Sequence, residues 1–291
     1  MEMRKLGTSG LMVSAIGMGC MPLSVPENRP AEPDAIDVIL KAVEVGISFF
    51  DTADAYCRDQ SEIGHNERLL GKALSQLDRA TRSRMVVATK AGLVRPDGRW
   101  EPNGKPAHIK ARCDEALKNL GVDAIDLYQF HRPDPHVPFA DSVGAFKELQ
   151  DAGKVKHIGL SNVSVLEIEL AQSIAKIVSV QNEFSRKNRK AQHDGVLDFT
   201  QKHNMAFLPW SPLGGIKSAK GIAAAEPMLE TIAAHHRVSP QQVVLKWMLL
   251  LAPHIIPIPG ASRKESVVNS AAAIHVPFKL EEFEALGDEA A

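Results

Sequence analysis

Short apolar runs alternate with longer amphipathic stretches along nearly the whole chain. The runs Ala15–Met18, Ile47–Phe50, Met85–Thr89, Ile125–Phe130, His157–Leu160, Ile177–Val180, Ala206–Leu208 and Ile255–Ile258 have the length and β-branched or aromatic content of buried strands. Between them lie segments with helical spacing: Ala35–Val45, Glu67–Gln76, His108–Leu120, Phe139–Ala152, Ser164–Ala175, Val196–His203 and Arg263–Ala273. Gly121 and Gly153 follow two of these as natural helix stops. Ser164 with Glu167 reads as a capping box. The stretch Met228–Leu251 reads as two helices broken near Ser239-Pro240. Ahead of all this, Met3–Leu6 and Leu11–Ile16 flank Thr8-Ser-Gly10 as a hairpin.

Eight strand runs separated by helices predict an α/β fold, a (β/α)8 barrel with an N-terminal β-hairpin. An open doubly wound sheet would call for a G-x-G-x-x-G turn after an early strand. Gly17-Met-Gly19-Cys-Met-Pro lacks the third glycine, and Pro22 stands where the helix would begin. No linker or shift of composition divides the chain, so residues 1–291 read as a single domain.

Composition narrows the function class. The 291 residues are 44% apolar and 24% charged, with a formal net charge of −1, so nothing favours nucleic acid or an anionic membrane. Cys20, Cys57 and Cys113 are odd in number and far apart, without metal-ligand spacing. The chain begins polar, Met1-Glu-Met-Arg-Lys, and its longest apolar stretch, near Trp247–Ala252, is too short to span a bilayer. The expectation is a cytoplasmic protein without a metal.

The chemistry gathers just after the strand runs, where loops leave the mouth of such a barrel. Ser48-Phe-Phe-Asp51 ends on a carboxylate, with Tyr56 five residues on. Lys90 follows the third run and His131 the fourth. Each alone is an ordinary polar strand end. Closing the barrel would bring an acid, a phenol, an ammonium and an imidazole to one rim. A tyrosine is a poor acid near neutrality, but a neighbouring ammonium lowers its pKa. Asp51 would keep Lys90 charged and in place. Such a set suits protonation of a carbonyl oxygen as negative charge develops, with a hydride donor attacking the carbon. No H-x-H or H-E-x-x-H pattern supports zinc hydrolysis.

These segments resemble the aldo-keto reductase superfamily. The likeness is carried by Gly17-Met-Gly19-Cys20-Met21, Asp51-Thr-Ala-Asp-Ala-Tyr56, Asn66-Glu-Arg-Leu-Leu-Gly71, Ala88-Thr-Lys90, Asp126-Leu-Tyr-Gln-Phe-His131, Gly153–Asn162, Val180-Gln-Asn-Glu183, Trp210–Gly215 and Ile258–Arg263, in that order over nearly the whole length. The resemblance implies a catalytic set of Asp51, Tyr56, Lys90 and His131, with Tyr56 as general acid, and a nicotinamide dinucleotide, usually NADPH/NADP+. It implies that Gly19, Cys20 and Met21 border the cofactor, that Ser161, Asn162 and Gln181 hold the carboxamide, and that Trp210 stacks on the nicotinamide. Ser211, Leu213 and Gly215 would meet the pyrophosphate. Gly260, Ser262, Arg263, Lys264 and Ser270 would meet the adenosine end, with Arg263 and Lys264 suited to a 2′-phosphate at a helix start. Relatives often end this last pattern with Glu-Asn, whereas here it reads Asn269-Ser270.

The polar insertion Arg58–Ile63 after Cys57 lengthens one pocket wall, and Leu93–Lys105 (with Trp100) and Ile216–Pro227 are expected to shape an open pocket. The implied function is NADPH-dependent reduction of aldehydes or activated ketones. The alternatives are NAD(P)+-dependent oxidation of a sugar or other alcohol, and a cofactor-binding regulatory subunit with little turnover. Substrate, physiological direction and oligomeric state stay open.

Overall fold

A computed structural model describes residues 1–215 and 221–287. The chain opens with an antiparallel hairpin, β1 (Met3–Lys5) and β2 (Met12–Ser14), closed by a turn with Gly7 and Gly10 at positive φ. Next come β3 (Met18–Gly19), β4 (Phe49–Asp51), β5 (Val86–Ala91), a small antiparallel pair β6 (Leu93–Val94) and β7 (Glu101–Pro102), then β8 (Ile125–Phe130), β9 (Val155–Ser161), β10 (Ile177–Gln181) and β11 (Ala206–Phe207). The principal sheet is parallel throughout, in the order β3-β4-β5-β8-β9-β10-β11.

Barrel closure falls to the expected eighth run, which forms single bridges instead of a regular strand: Phe207 pairs with Ile255, and Gly19 with Gly260. The prolines explain this. In Ile255-Ile-Pro-Ile-Pro259 the N–H groups of Ile256 and Ile258 face β11 and the residues after it, donating to the Phe207 and Pro209 carbonyls. Towards β3 only carbonyls are offered, and Pro257 and Pro259 accept from Gly17 and Gly19. Proline has no N–H to return, so one side of the ladder is half made. The first run also sits further along than expected. Ala15 still donates to Glu2, so the hairpin continues until the chain turns into β3.

Helices wrap the sheet: α1 (Glu32–Glu44), α2 (His65–Leu74), α3 (Pro106–Leu120), α4 (Phe139–Asp151), α5 (Val165–Gln172), α6 (Val196–Lys202), α7 (Pro227–His236), α8 (Pro240–Leu251) and α9 (Lys264–Ala272). The stops behave as read: Gly121 adopts the left-handed conformation at φ 66, and Ser164 and Ser239 each complete a capping box. The outer faces of the strands and the inner faces of the helices make the largest apolar cluster, around Phe130, Phe146, Phe184 and Trp247.

The barrel's inside is a separate core. Leu6 and Val13 of the hairpin meet Phe49, Val86, Ala88, Leu127, Val178 and Ile256, so the hairpin plugs one end. A β-carbon on Gly7 would lie 2.0 Å from the Val178 carbonyl, and only glycine lets the hairpin come this close. Arg4 fastens the plug by donating to the Leu249, Ala252 and Ile255 carbonyls at 2.6, 2.9 and 2.7 Å. These include carbonyls at the C-terminal end of α8, where a cation is favoured.

Candidate active site

Inward-facing positions follow from the period of two. On β5, Val86 and Ala88 belong to the interior core, so Lys90 continues the same face at the open end. On β4 the same step leads from Phe49 to Asp51, and on β8 from Leu127 to Gln129 and then to His131 just past the strand's end. Strand register brings these groups to one level, with Asp51 beside Gly19 and Ala88, Lys90 beside Gln129, and Gln181 beside Ser161.

There Lys90, with no exposed surface, donates to Asp51 Oδ2 at 2.7 Å, to the Thr52 carbonyl at 2.8 Å and to Tyr56 Oη at 3.0 Å. Asp51 Oδ1 accepts from Gln181 Nε2 at 2.8 Å and Gln129 Nε2 at 3.2 Å. A charge pair taken out of water is costly unless its remaining hydrogen-bonding capacity is met, and here it is met on both sides. His131 lies edge-on to Tyr56, ring centroids 5.7 Å apart.

Electrostatics set the protonation states. Burial works against charge on Lys90, but the charges of Asp51 and Tyr56 and hydrogen bonds to both outweigh it and raise its pKa. Burial pushes the Tyr56 phenol up to about 12, with Lys90 pulling the other way. The sequence led us to expect a lowered value; the ammonium acts as expected, but loss of water is the larger effect. Burial, then the Lys90 and Arg132 charges, hold His131 well below the usual histidine range, so the imidazole is neutral. Its Nδ1 is buried without a partner.

The other predicted groups lie at the strand ends or in the segments that follow them. Asn162, at φ 59, donates to the His131 carbonyl and to Ser161 Oγ, both at 3.0 Å, and accepts from Trp210 Nε1 at 3.2 Å. Gly19 packs against the Ile258 carbonyl, which a β-carbon would approach to 2.8 Å. Buried Cys20 precedes a single 3-10 turn that begins at Met21. Ser211, Gly214 and Gly215 all have positive φ in the turn after Trp210, with Leu213 packed into the core beside it. Gly260, Ser262 and Arg263 follow the closing segment, and Arg263 is the exposed N-cap of α9. Lys264 is bound instead to Asp37 of α1 at 2.6 Å. Ser270 is buried, and neighbouring Asn269 is tied to the α8 cap through Ser239 Oγ at 3.0 Å.

The pocket wall is built as the sequence suggested on one side. Trp100 sits 6.4 Å from both the Tyr56 and His131 rings, and the Arg95 guanidinium stacks 3.6 Å from its ring centroid. The Arg58–Ile63 insertion braces this wall: the Arg95 guanidinium donates to the Arg58 carbonyl at 2.8 Å, and the Arg95 backbone N–H donates to Gln60 Oε1, also at 2.8 Å. On the other side, residues 216–220 of the Ile216–Pro227 stretch lie outside the described residues.

Sequence reasoning missed two members of this assembly. Gln129 was not singled out, although it sits midway between Leu127 and His131 in the inward series. Asp54, in the loop before Tyr56, is held by Arg112 at 3.1 Å, and burial with the Glu67 charge pushes its carboxyl up to about 7. No local pattern announces that contact, because Arg112 is 58 residues away.

The comparisons place this barrel among oxidoreductases. The sequence model of the aldo/keto reductase family matches residues 15–289, and the chain belongs to that family. It is 36% identical to a probable aldo-keto reductase of Glycine max, over 94% of this chain and 84% of that protein. It is 32% identical to an uncharacterized oxidoreductase of Schizosaccharomyces pombe, over 96% and 87%. Among solved structures it resembles a thermostable aldo-keto reductase in complex with the inhibitor epalrestat, with a TM-score of 0.83, 26% identity and 98% of both chains covered. The fold is also that of an aldo/keto reductase from Klebsiella pneumoniae in complex with NADP and acetate, with a TM-score of 0.81, 22% identity and 98% and 94% covered. No helix among the described residues is long and apolar enough to cross a membrane.

Proposed function

We propose that the chain acts as one catalytic barrel that reduces aldehydes or activated ketones at the expense of NADPH, with Tyr56 giving the carbonyl oxygen its proton. The observation that carries this reading is the buried Asp51–Lys90–Tyr56 chain, whose ammonium lies 3.0 Å from the phenol oxygen. With its pKa pushed up to about 12, Tyr56 holds its proton at neutral pH. Once the proton leaves, the phenolate faces a fixed ammonium already in place, so little reorganisation is required. Asp51 keeps that ammonium charged and aimed. Neutral His131 lies close enough to Tyr56 to orient the same substrate oxygen.

The bound nicotinamide would supply the hydride. The rim has groups that fit such a cofactor. Gln181 spends both amide hydrogens on Asp51 and Gln129, leaving its carbonyl oxygen to accept from a carboxamide. Ser161 and Asn162 stand beside it, and Asn162 fixes the Trp210 indole that would stack on the ring. Ser211, Leu213 and Gly215 border the pyrophosphate turn, Gly19–Met21 the opposite edge. Arg263, exposed at the start of α9, is the cation for a 2′-phosphate, while Lys264 is engaged by Asp37.

The test is a panel of small aldehydes, pyridoxal and methylglyoxal among them, with NADPH and NADH. Tyr56→Phe should lower kcat by ~10²–10⁴ while cofactor binding, followed by tryptophan fluorescence, is retained. A variant with near-normal kcat would remove Tyr56 from the reaction.

A further inference from the structure

Far from the barrel mouth, three potential metal ligands converge on one point. His235 and His236 are the last two residues of α7, and Glu282 lies in the short helix Leu280–Ala285 near the end of the chain. Glu282 Oε1 lies 3.0 Å from His235 Nδ1 and 2.7 Å from His236 Nε2. Oε2 lies 2.8 Å from His236 Nε2, and accepts the Lys279 backbone N–H at 2.8 Å. The ligand atoms of the three residues all lie within 4.8 Å of one another.

A plain histidine–glutamate hydrogen bond accounts for His236, whose side chain is buried. His235 brings a second imidazole to the same oxygen. That side chain is 58% exposed, yet its Nδ1 is turned onto the same carboxylate oxygen. Two adjacent imidazoles pointing different ring nitrogens at one oxygen form a chelating set, and the rings lie side by side with centroids 4.5 Å apart.

We infer that His235, His236 and Glu282 form a binding site for a divalent transition-metal ion, zinc in the first instance, which clasps the Leu280–Ala285 helix to the end of α7. The donor chemistry selects the class of ion. Two imidazole nitrogens with one carboxylate suit Zn2+, Co2+ or Ni2+, whereas Ca2+ and Mg2+ prefer all-oxygen sets. Binding would draw the two ring nitrogens, which lie within 4.8 Å of each other, closer together, while the contacts to Glu282 shift less. Ligands ~2.0–2.1 Å from a tetrahedral zinc stand about 3.3 Å apart, so the present hydrogen-bonded contacts would open by a few tenths of an ångström. The ion would take the place of the two N–H hydrogens now aimed at Oε1, with each neutral ring carrying its hydrogen on the other nitrogen.

Supporting groups are present as well. The Lys279 N–H fixes the carboxylate's orientation, the role an outer partner plays at metal centres. The exposed side of His235 leaves room for water to complete the coordination shell. The clasp would act where the chain's tail meets the barrel, beside the Arg186 contact that already holds the Leu286 carbonyl at 2.8 Å.

The test uses the full chain stripped with a chelator and titrated calorimetrically with Zn2+, and separately with Co2+ to read visible absorption. The expected result is one ion per chain, a pseudo-tetrahedral Co2+ band, a rise in Tm with Zn2+, and no response to Mg2+. His236→Ala and Glu282→Gln should each weaken binding at least about tenfold and abolish the band. His235→Ala, at an exposed position that folding does not depend on, should do the same with the circular dichroism unchanged. A wild-type chain that takes up no Zn2+ overturns the inference, as does retention of wild-type affinity in all three variants. Carbonyl reduction, if Tyr56 performs it, should proceed in the stripped protein.

Discussion

Two lysine–aspartate pairs of nearly equal length sit at opposite extremes of this molecule. Lys90 and Asp51 meet at 2.7 Å with side chains 0% and 2% exposed. Lys264 and Asp37 meet at 2.6 Å with side chains 46% and 55% exposed. The bond lengths do not distinguish them; the surroundings do. In water the attraction between unit charges a few ångströms apart is about 1 kcal/mol and is easily offset by side-chain entropy. In the barrel the charges cannot be separated without leaving one unpaired in a dry site. The inner pair is therefore a fixed electrostatic device beside a phenol. The outer pair is a surface contact between α1 and α9.

The largest effect should come from breaking the inner pair. Lys90→Met strands Asp51 in the barrel and should cost about 3–5 kcal/mol of stability by denaturant unfolding. It should also lower kcat more than Asp51→Asn, because the latter leaves the ammonium in place and removes only its orientation. If Asp51→Asn proved the more damaging change to kcat, the division of roles between the two would be wrong. The pH dependence has a definite sign. The folded pKa of Lys90 lies above its ordinary 10.5, so its contribution is complete below that value and is lost as pH rises through the folded pKa. This alkaline loss should be missing in Lys90→Met.

A smaller effect is expected at Arg263, where the exposed end of α9 would meet a phosphate. One charge-assisted hydrogen bond of roughly 1.5–3 kcal/mol corresponds to about ten- to a hundredfold in affinity. Arg263→Ala should weaken NADPH by that factor and leave NADH nearly unchanged, as read by quenching of tryptophan fluorescence. Equal weakening of both would show that the arginine supports the loop and does not read the phosphate. A wild type that prefers NADH would remove the NADPH assignment itself.

The smallest effect belongs to the outer pair. Lys264→Ala should leave Tm unchanged within error, and the ratio of NADPH to NADH affinity should move far less than in Arg263→Ala. A loss of NADPH affinity matching that of Arg263→Ala would mean that Lys264 leaves Asp37 for the phosphate, and the contrast between the two pairs would narrow.

Much of this arrangement is written locally. The period of two along Phe49–Asp51, Val86–Lys90 and Leu127–His131 puts acid, ammonium and imidazole on inward faces, and parallel strands deliver them to one end. The capping box at Ser164, the stop at Gly121 and the break before Pro240 are equally local, because each depends on backbone groups within one helical turn. What the sequence could not carry is whatever depends on distance along the chain or on exclusion of water. Gln181 reaches Asp51 across 130 residues, and Lys264 reaches Asp37 across 227. The direction of the Tyr56 shift also lay beyond the sequence, since the ammonium's pull was legible there but the larger push from burial exists only once the barrel has closed. Even the eighth run divides this way. Its apolar character marked it for the barrel wall, while the number of ladder bonds it makes was decided by which neighbour its prolines face. Sequence alone determined which chemical groups stand at the strand ends; the tertiary structure decided which of them are dry, and in a low-dielectric interior that difference sets protonation state and interaction strength alike.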